Sequence, residues 1–408
     1  MADRFDALVI GGGPAGSTAA LLLARAGWAV GLLERKRFPR RKVCGEYLSA
    51  TNLPLLTQLG LAEALRDRAG PEVRRVGLFA GGTMLSSELP RPGERGAGWG
   101  RALGREHLDT LLLERAGQAG ADVRQPCSAE GLVAEGGVYR CQARAPGGSS
   151  EIVSRVVVAA HGSWDCGPLP TQLARRPPRP ADLFGFKAHF RNSDLPAGLM
   201  PLLVFPGGYG GMVHSDSGRV SLSCCIRRDY LAELRRGLGG ESAGEAVLAH
   251  IRESCLGVRR ALAGAIREGP WLAAGPLRPG IRGPGPCGVF PVGNCAGEAH
   301  PVIAEGISMA MQAAWLLARR LIAWHQTGGS AGALSHVAKE FAREWRRAFA
   351  PRLHSAAAVA HWAMRPAAVA PTVPLLRWFP GLLSWGARLS GKATRVVSAV
   401  PAGGPHGP

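Results

Sequence analysis

Phe5-Asp6-Ala7-Leu8-Val9-Ile10-Gly11-Gly12-Gly13-Pro14-Ala15-Gly16 is the stretch that decides the fold of this chain. Its first six residues read as a short buried strand, and the glycine-rich turn follows directly. Ser17 to Gly27 (STAALLLARAG) continues as a helix of small residues, and a second strand, Ala29 to Leu33, ends on Glu34. G-x-G-x-x-G between a strand and a helix, with an acidic residue about 20 positions on, is the pattern of a dinucleotide-binding βαβ unit. Gly11 allows the tight turn, Gly13 lets the backbone approach a pyrophosphate, and Gly16 lets helix and strand pack closely. Pro14 and Ala15 open a helix whose free N–H groups face the phosphates. Glu34 stands where it can accept hydrogen bonds from a ribose diol.

The 408 residues suffice for two packed lobes, or for one domain with an inserted layer. A net charge of +19 invites a nucleic-acid partner, but the pattern does not. Only Lys36, Lys42, Lys187, Lys339 and Lys392 are lysines; the arginines are spread along the chain, and no nucleic-acid-reading motif appears. The excess favours other anionic partners. Nine cysteines without a C-x-x-C pair fit neither a disulfide framework nor a zinc site, and no metal site is expected. With the first strand expected to begin by Phe5, no cleavable leader is expected, and no apolar run reaches membrane-spanning length. The expected location is cytoplasmic, soluble or peripheral to the inner face of the membrane.

Three further segments carry a family resemblance. Phe38-Pro39-Arg40-Arg41-Lys42-Val43-Cys44-Gly45-Glu46-Tyr47-Leu48-Ser49 resembles the F-P-R-x-K-x-C-G-E-x-L-S stretch of class A FAD-dependent oxidoreductases. These include the geranylgeranyl reductase-like proteins and the para-hydroxybenzoate-hydroxylase-type monooxygenases. Arg105-Glu106-His107-Leu108-Asp109 is similar to the R-x-x-L-D at a helix start in that family. Val289 to Gly297 (VFPVGNCAG), then His300-Pro301 and Ala304-Glu305-Gly306-Ile307, resembles its G-D-A-A-G … P … G-E-G-I segment.

The resemblance implies an α/β architecture: a Rossmann-type FAD-binding domain, an inserted, mostly antiparallel β-sheet substrate domain, and a helical C-terminal segment. It implies FAD as cofactor, held by Gly11, Gly13, Pro14, Ala15, Gly16, Glu34, Arg35, Arg41, Cys44, Gly45, Arg105, Gly293, Asn294, Gly306 and Ile307. Amides at the start of the helix entered at Gly306 would favour negative charge on the flavin. Two positions depart from the pattern: Asn294 stands where the family has Asp, and His161 where Asp is common after the central strand. No second strand–G-x-G-x-x-G–helix unit exists, so electrons are expected from a transiently visiting NADPH or NADH, or from a protein donor.

The expected boundaries are 1–180 and 271–330 for the FAD domain, 181–270 for the sheet, 331–400 for the helical segment and 401–408 for a disordered tail. Short apolar runs between about 180 and 270 read as strands lying over the flavin. Among them Phe205, Tyr209 and Met212 are candidate contacts for a lipophilic or aromatic substrate. Residues 352–400 mix Leu, Trp and Arg with Pro, which suits a clamp, a lid over a greasy tunnel, or a peripheral membrane contact. Two reactions compete: monooxygenation of an aromatic, polyketide or isoprenoid molecule, and alkene reduction of the geranylgeranyl reductase type, which Cys44 favours as a catalytic residue. The absence of W-x-W-x-I-P sets a halogenase aside, and a non-catalytic FAD-binding or electron-transfer protein is the third class.

Overall fold

A computed structural model describes residues 2–89, 98–164, 166–237, 242–388 and 396–397. The expected tail, 401–408, lies outside the described residues.

The chain opens with β1 (Asp3–Ile10), α1 (Pro14–Arg25) and β2 (Val30–Leu33). Burial along β1 rises toward its C-terminal end, where Ala7 to Ile10 are enclosed on both faces, as a central parallel strand requires. A hairpin of β3 (Arg75–Ala80) and β4 (Thr83–Glu88) leaves this lobe, and α2 (Arg105–Gln118) and β5 (Asp122–Arg124) return to it. The meander β6 (Ser128–Glu135), β7 (Val138–Ala145) and β8 (Gly148–Ala159) completes its chain-continuous part.

The second lobe follows with β9 (Leu183–Arg191), β10 (Leu199–Phe205), β11 (Gly208–His214) and β12 (Val220–Arg227). Three helices, α3 (Arg228–Gly237), α4 (Ala243–Ser254) and α5 (Leu256–Ala261), precede β13 (Ile266–Leu277). The chain then re-enters the first lobe through β14 (Val289–Pro291) and α6 (Gly306–Gln326). It ends in α7 (Ala331–Ala363), α8 (Pro366–Val369), α9 (Thr372–Trp378) and α10 (Gly381–Ala387).

The parallel strands of the first sheet lie in the order β5-β2-β1-β8-β14, with β7 and β6 extending it from the antiparallel half of β8. This is a doubly wound order whose reversal point lies beside β1, where such sheets bind ligands at the strand ends. Helices α1, α2 and α6 share one core with the sheet, built on Val9, Leu23, Leu112, Ala314 and Leu317.

The second sheet runs β13-β9-β12-β11-β10-β3-β4, antiparallel except for the β10–β3 pair. It is therefore not confined to 181–270: Arg75–Glu88 supplies one edge and β13 reaches Leu277 on the other. Helices α3–α5 also sit inside that range, where the sequence suggested only strands. They pack against one face through Val247, Ile251 and Val258, so the opposite face is left to meet the first lobe and the C-terminal helices. Among the described residues no helix is long and apolar enough to cross a membrane.

Candidate functional site

A cavity of about 1000 Å³ begins at the strand ends of the first sheet and reaches the C-terminal helices. Of the fifteen cofactor candidates, all but Gly16 line it. Gly16 works from behind: a Cβ there would stand 1.8 Å from the Gly11 carbonyl oxygen. Gly11 has φ +109, and its own Cβ would meet the Ala160 carbonyl at 2.5 Å. At Gly13 the added Cβ meets only the Arg40 and Arg105 guanidinium ends, at 3.9 and 4.0 Å. That gap, at the N-terminus of α1 and between two cations, fits a pyrophosphate. Arg40 strengthens the fit, because its buried Nε and Nη1 have no hydrogen-bond partner, although Nη1 lies 3.5 Å from Asp109.

The Glu34 carboxylate accepts hydrogen bonds from Gly12 N (2.8 Å) and Lys36 N (2.9 Å), so it also pins the glycine turn. Arg35 borders the cavity beside it, and Arg41 pairs with Glu106 at 3.3 Å. The Arg105 guanidinium grips Asp109 through two 2.7 Å hydrogen bonds and also contacts the Cys44 thiol. Lys42 is pulled down to about 8, chiefly by burial and then by the charges of Arg105 and Arg40. Asn294 donates to Ser163 Oγ at 3.4 Å, and His161 Nε2 lies 2.8 Å from Thr171 Oγ1. At the start of α6, Gly306 and Ile307 line the cavity, but the buried Glu305 precedes them at the same end, its carboxylate accepting from Ser49 Oγ at 3.1 Å rather than from the helix amides. Its charge offsets part of the positive potential expected there.

Sequence reasoning missed the residue that ties the lobes together. Glu46 has φ +64 and a fully buried side chain. Its Oε1 meets Lys187 Nζ and accepts from Arg105 N (3.3 Å), while Oε2 lies 2.9 Å from His189 Nε2. Lys187 and His189 are two apart on β9 and so share a face, opposite Phe186 and Phe190. Burial pushes the Glu46 carboxyl up, but the His189 hydrogen bond and the Lys187 charge outweigh it and hold it well below the usual range. Lys187 was visible only as a lone charge in an apolar strand, and Glu46 only as one letter of a motif.

The substrate candidates separate. Tyr209 lines the cavity, its hydroxyl 3.1 Å from His300 Nδ1. Burial pushes the Tyr209 phenol well above its ordinary value and the His300 imidazole down to about 4. Phe205 does not line the cavity; it packs edge-on against His250 of α4, with ring centroids 5.7 Å apart. Met212 borders the cavity but belongs to the same helix-facing core. Alternation along β10 decides this: Leu203 and Phe205 face the helices, while Met200 and Leu202 border the cavity.

The strand order, the glycine turn and its cationic rim together form a dinucleotide-binding site at the strand ends of the first sheet. Residues 4–168 match the family described as FAD binding domain, and FAD is the cofactor this site takes. The menaquinone reductase of Mycolicibacterium smegmatis is 37% identical over 121 residues, 30% of this chain and 29% of that protein. The 6-methylpretetramide 4-monooxygenase of Streptomyces rimosus is 38% identical over 167 residues, 39% of this chain and 38% of that protein. The chain thus spans well under half the length of either relative. Among solved structures, a myxobacterial chondrochloren halogenase superposes with a TM-score of 0.73 over 95% of this chain and 91% of its own, at 21% identity. That likeness is one of fold.

Proposed function

We propose that this chain is an FAD-dependent monooxygenase that hydroxylates or epoxidises a lipophilic small molecule. The observation that carries the proposal is the continuity of one cavity. Its cationic, glycine-lined end suits the dinucleotide, and it passes Cys44-Gly45 and the start of α6. Its far wall is apolar, formed by Leu78, Met200, Leu202, Val213, Leu376 and Leu383. A pocket of this kind suits a largely apolar ligand oriented by a few polar groups.

FAD, when bound, would supply two-electron redox chemistry, the net reaction placing one atom of O2 in the substrate and the other in water at the expense of two electrons from the donor. The chain binds, orients and handles protons. Gly13, Arg40 and Lys42 would hold the phosphates, and Glu34 the adenosine ribose. Asn294, at the cavity wall, would meet the ribityl chain. The Tyr209 hydroxyl, held by His300, offers a hydrogen bond to a polar group of the substrate and holds its proton across the neutral range. The apolar wall excludes water. The relative named as a monooxygenase supports this choice.

A second reading, alkene reduction by reduced flavin, draws support from Cys44, whose thiol sits at the cavity wall beside Arg105, and from the relative named as a reductase. In either reading the electrons come from a visiting NADPH or NADH, or from a protein donor, and the chain works in the cytoplasm. Stopped-flow mixing of the photochemically reduced protein with oxygen tests the choice. A transient absorbing species before reoxidation supports monooxygenation. Direct slow reoxidation, together with reduction of an offered prenyl chain, supports the second reading.

A further inference from the structure

The apolar end of the cavity opens among the least ordinary surface of the molecule. Leu375, Trp378, Phe379, Leu382 and Trp385, within eleven residues of α9 and α10, are 50%, 81%, 60%, 38% and 60% exposed. Single exposed apolar side chains need no explanation, but a contiguous group does. Leu375 and Leu382 are exposed and also line the cavity, so they form its mouth; Leu376 and Leu383, on the inner side of the same helices, continue its wall. The helices are seated rather than splayed: Arg377 donates to Thr83 Oγ1 on β4 at 3.1 Å, and Ser384 Oγ lies 2.8 Å from Ser87 Oγ.

Charge identifies what covers this patch. Glu344 is the last acidic residue of the sequence; the 64 residues after it hold eight lysines and arginines and no carboxylate side chain. Arg365, Arg377 and Arg388 are exposed around the aromatic group. Exposed Trp, Phe and Leu flanked by arginines, on a stretch of chain that itself carries no acidic residue, suit the interface of an anionic bilayer. We propose that α9 and α10 dock on an anionic phospholipid surface, and that a lipophilic substrate passes from the bilayer between Leu375 and Leu382 into the cavity without crossing water. The docking rests on the patch alone; only the passage of substrate rests on the reaction proposed above.

The test is sedimentation of the FAD-loaded protein with vesicles of phosphatidylcholine and phosphatidylglycerol in about equal parts, against vesicles of phosphatidylcholine alone. Binding is expected to the anionic vesicles and to weaken as salt rises. The variant W378S/F379S/W385S, whose side chains lie outside the cavity, should keep its flavin content and lose binding roughly tenfold or more. R365E/R388E should lose it as well. Protein that stays in the supernatant, or a triple variant that binds like the parent, overturns the proposal. So does a dimer that dissociates in the triple variant without vesicle binding, since a second copy would then cover the patch. Vesicle binding by a protein that shows neither an oxygen transient nor prenyl reduction would leave the docking standing and sink the reaction.

Discussion

Replacing Glu46 by Gln should unsettle the joint between the two lobes. Glu46, Lys187 and His189 are 0%, 0% and 3% exposed, so the carboxylate is the compensation for an ammonium with no water around it. Removing one partner of such a buried pair costs about 3–5 kcal/mol, a large share of the roughly 5–15 kcal/mol that holds a typical domain folded. Urea unfolding followed by circular dichroism should show this loss at pH 7. The pH dependence has a definite sign. The folded carboxyl titrates below its ordinary 4.5, so its contribution is complete above that value and fades as pH falls through the folded one. The part of the gap between parent and Glu46→Gln that comes from this carboxyl should therefore persist below the ordinary carboxylate range and close only in stronger acid. Adding Lys187→Met to Glu46→Gln should recover much of the loss, because the stranded charge is gone. A loss below about 1 kcal/mol, the range of an exposed pair, would refute the reasoning. So would a Lys187→Met cost that simply adds to that of Glu46→Gln.

Gly13→Ala should fold as stably as the parent yet purify with little flavin, since its methyl enters open space between two guanidiniums; Gly16→Ala, 1.8 Å from a carbonyl, should not fold at all. The flavin-to-protein absorbance ratio and a thermal melt separate the two. Glu34→Ala leaves Gly12 N unpaired and should weaken FAD binding roughly ten- to a hundredfold by fluorescence titration of the apoprotein; full occupancy would refute the ribose contact. A phosphate beside Lys42 raises an ammonium that otherwise titrates at about 8, so binding takes up a proton and FAD affinity should fall as pH rises through that value. Lys42→Met should flatten that part of the titration. Tyr209→Phe should retain FAD and lower kcat/KM roughly three- to tenfold, the loss of one neutral hydrogen bond. With His300 at about 4, no break in the parent's rate between pH 5 and 9 should trace to that imidazole.

The dinucleotide end of the site was legible because its signals are local. A turn, the helix it opens and the acidic residue after the next strand are fixed by spacing within thirty-five residues, and Gly11, Gly13 and Glu34 stand around one end of the cavity accordingly. The substrate end depends on pairings the sequence does not carry. Nothing in Arg75–Ala80 says that it will lie parallel to Leu199–Phe205, more than a hundred residues on, yet that pairing puts Leu78 in the cavity wall. Period-2 alternation tells which residues of a strand share a face but not which face the helices will cover. That is why Phe205 and Tyr209, read alike as apolar strand residues, end on opposite sides of the sheet. Glu46 shows the same limit from the other side. Its partners sit 141 and 143 residues away, and the left-handed backbone that aims its carboxylate at them leaves no mark in composition. A motif can name the loop that approaches a flavin; only the folded sheet shows that one carboxylate of the loop is neutralised from the other lobe. Any change that moves β9 should therefore reach the cofactor through Glu46 and the Arg105 amide it holds.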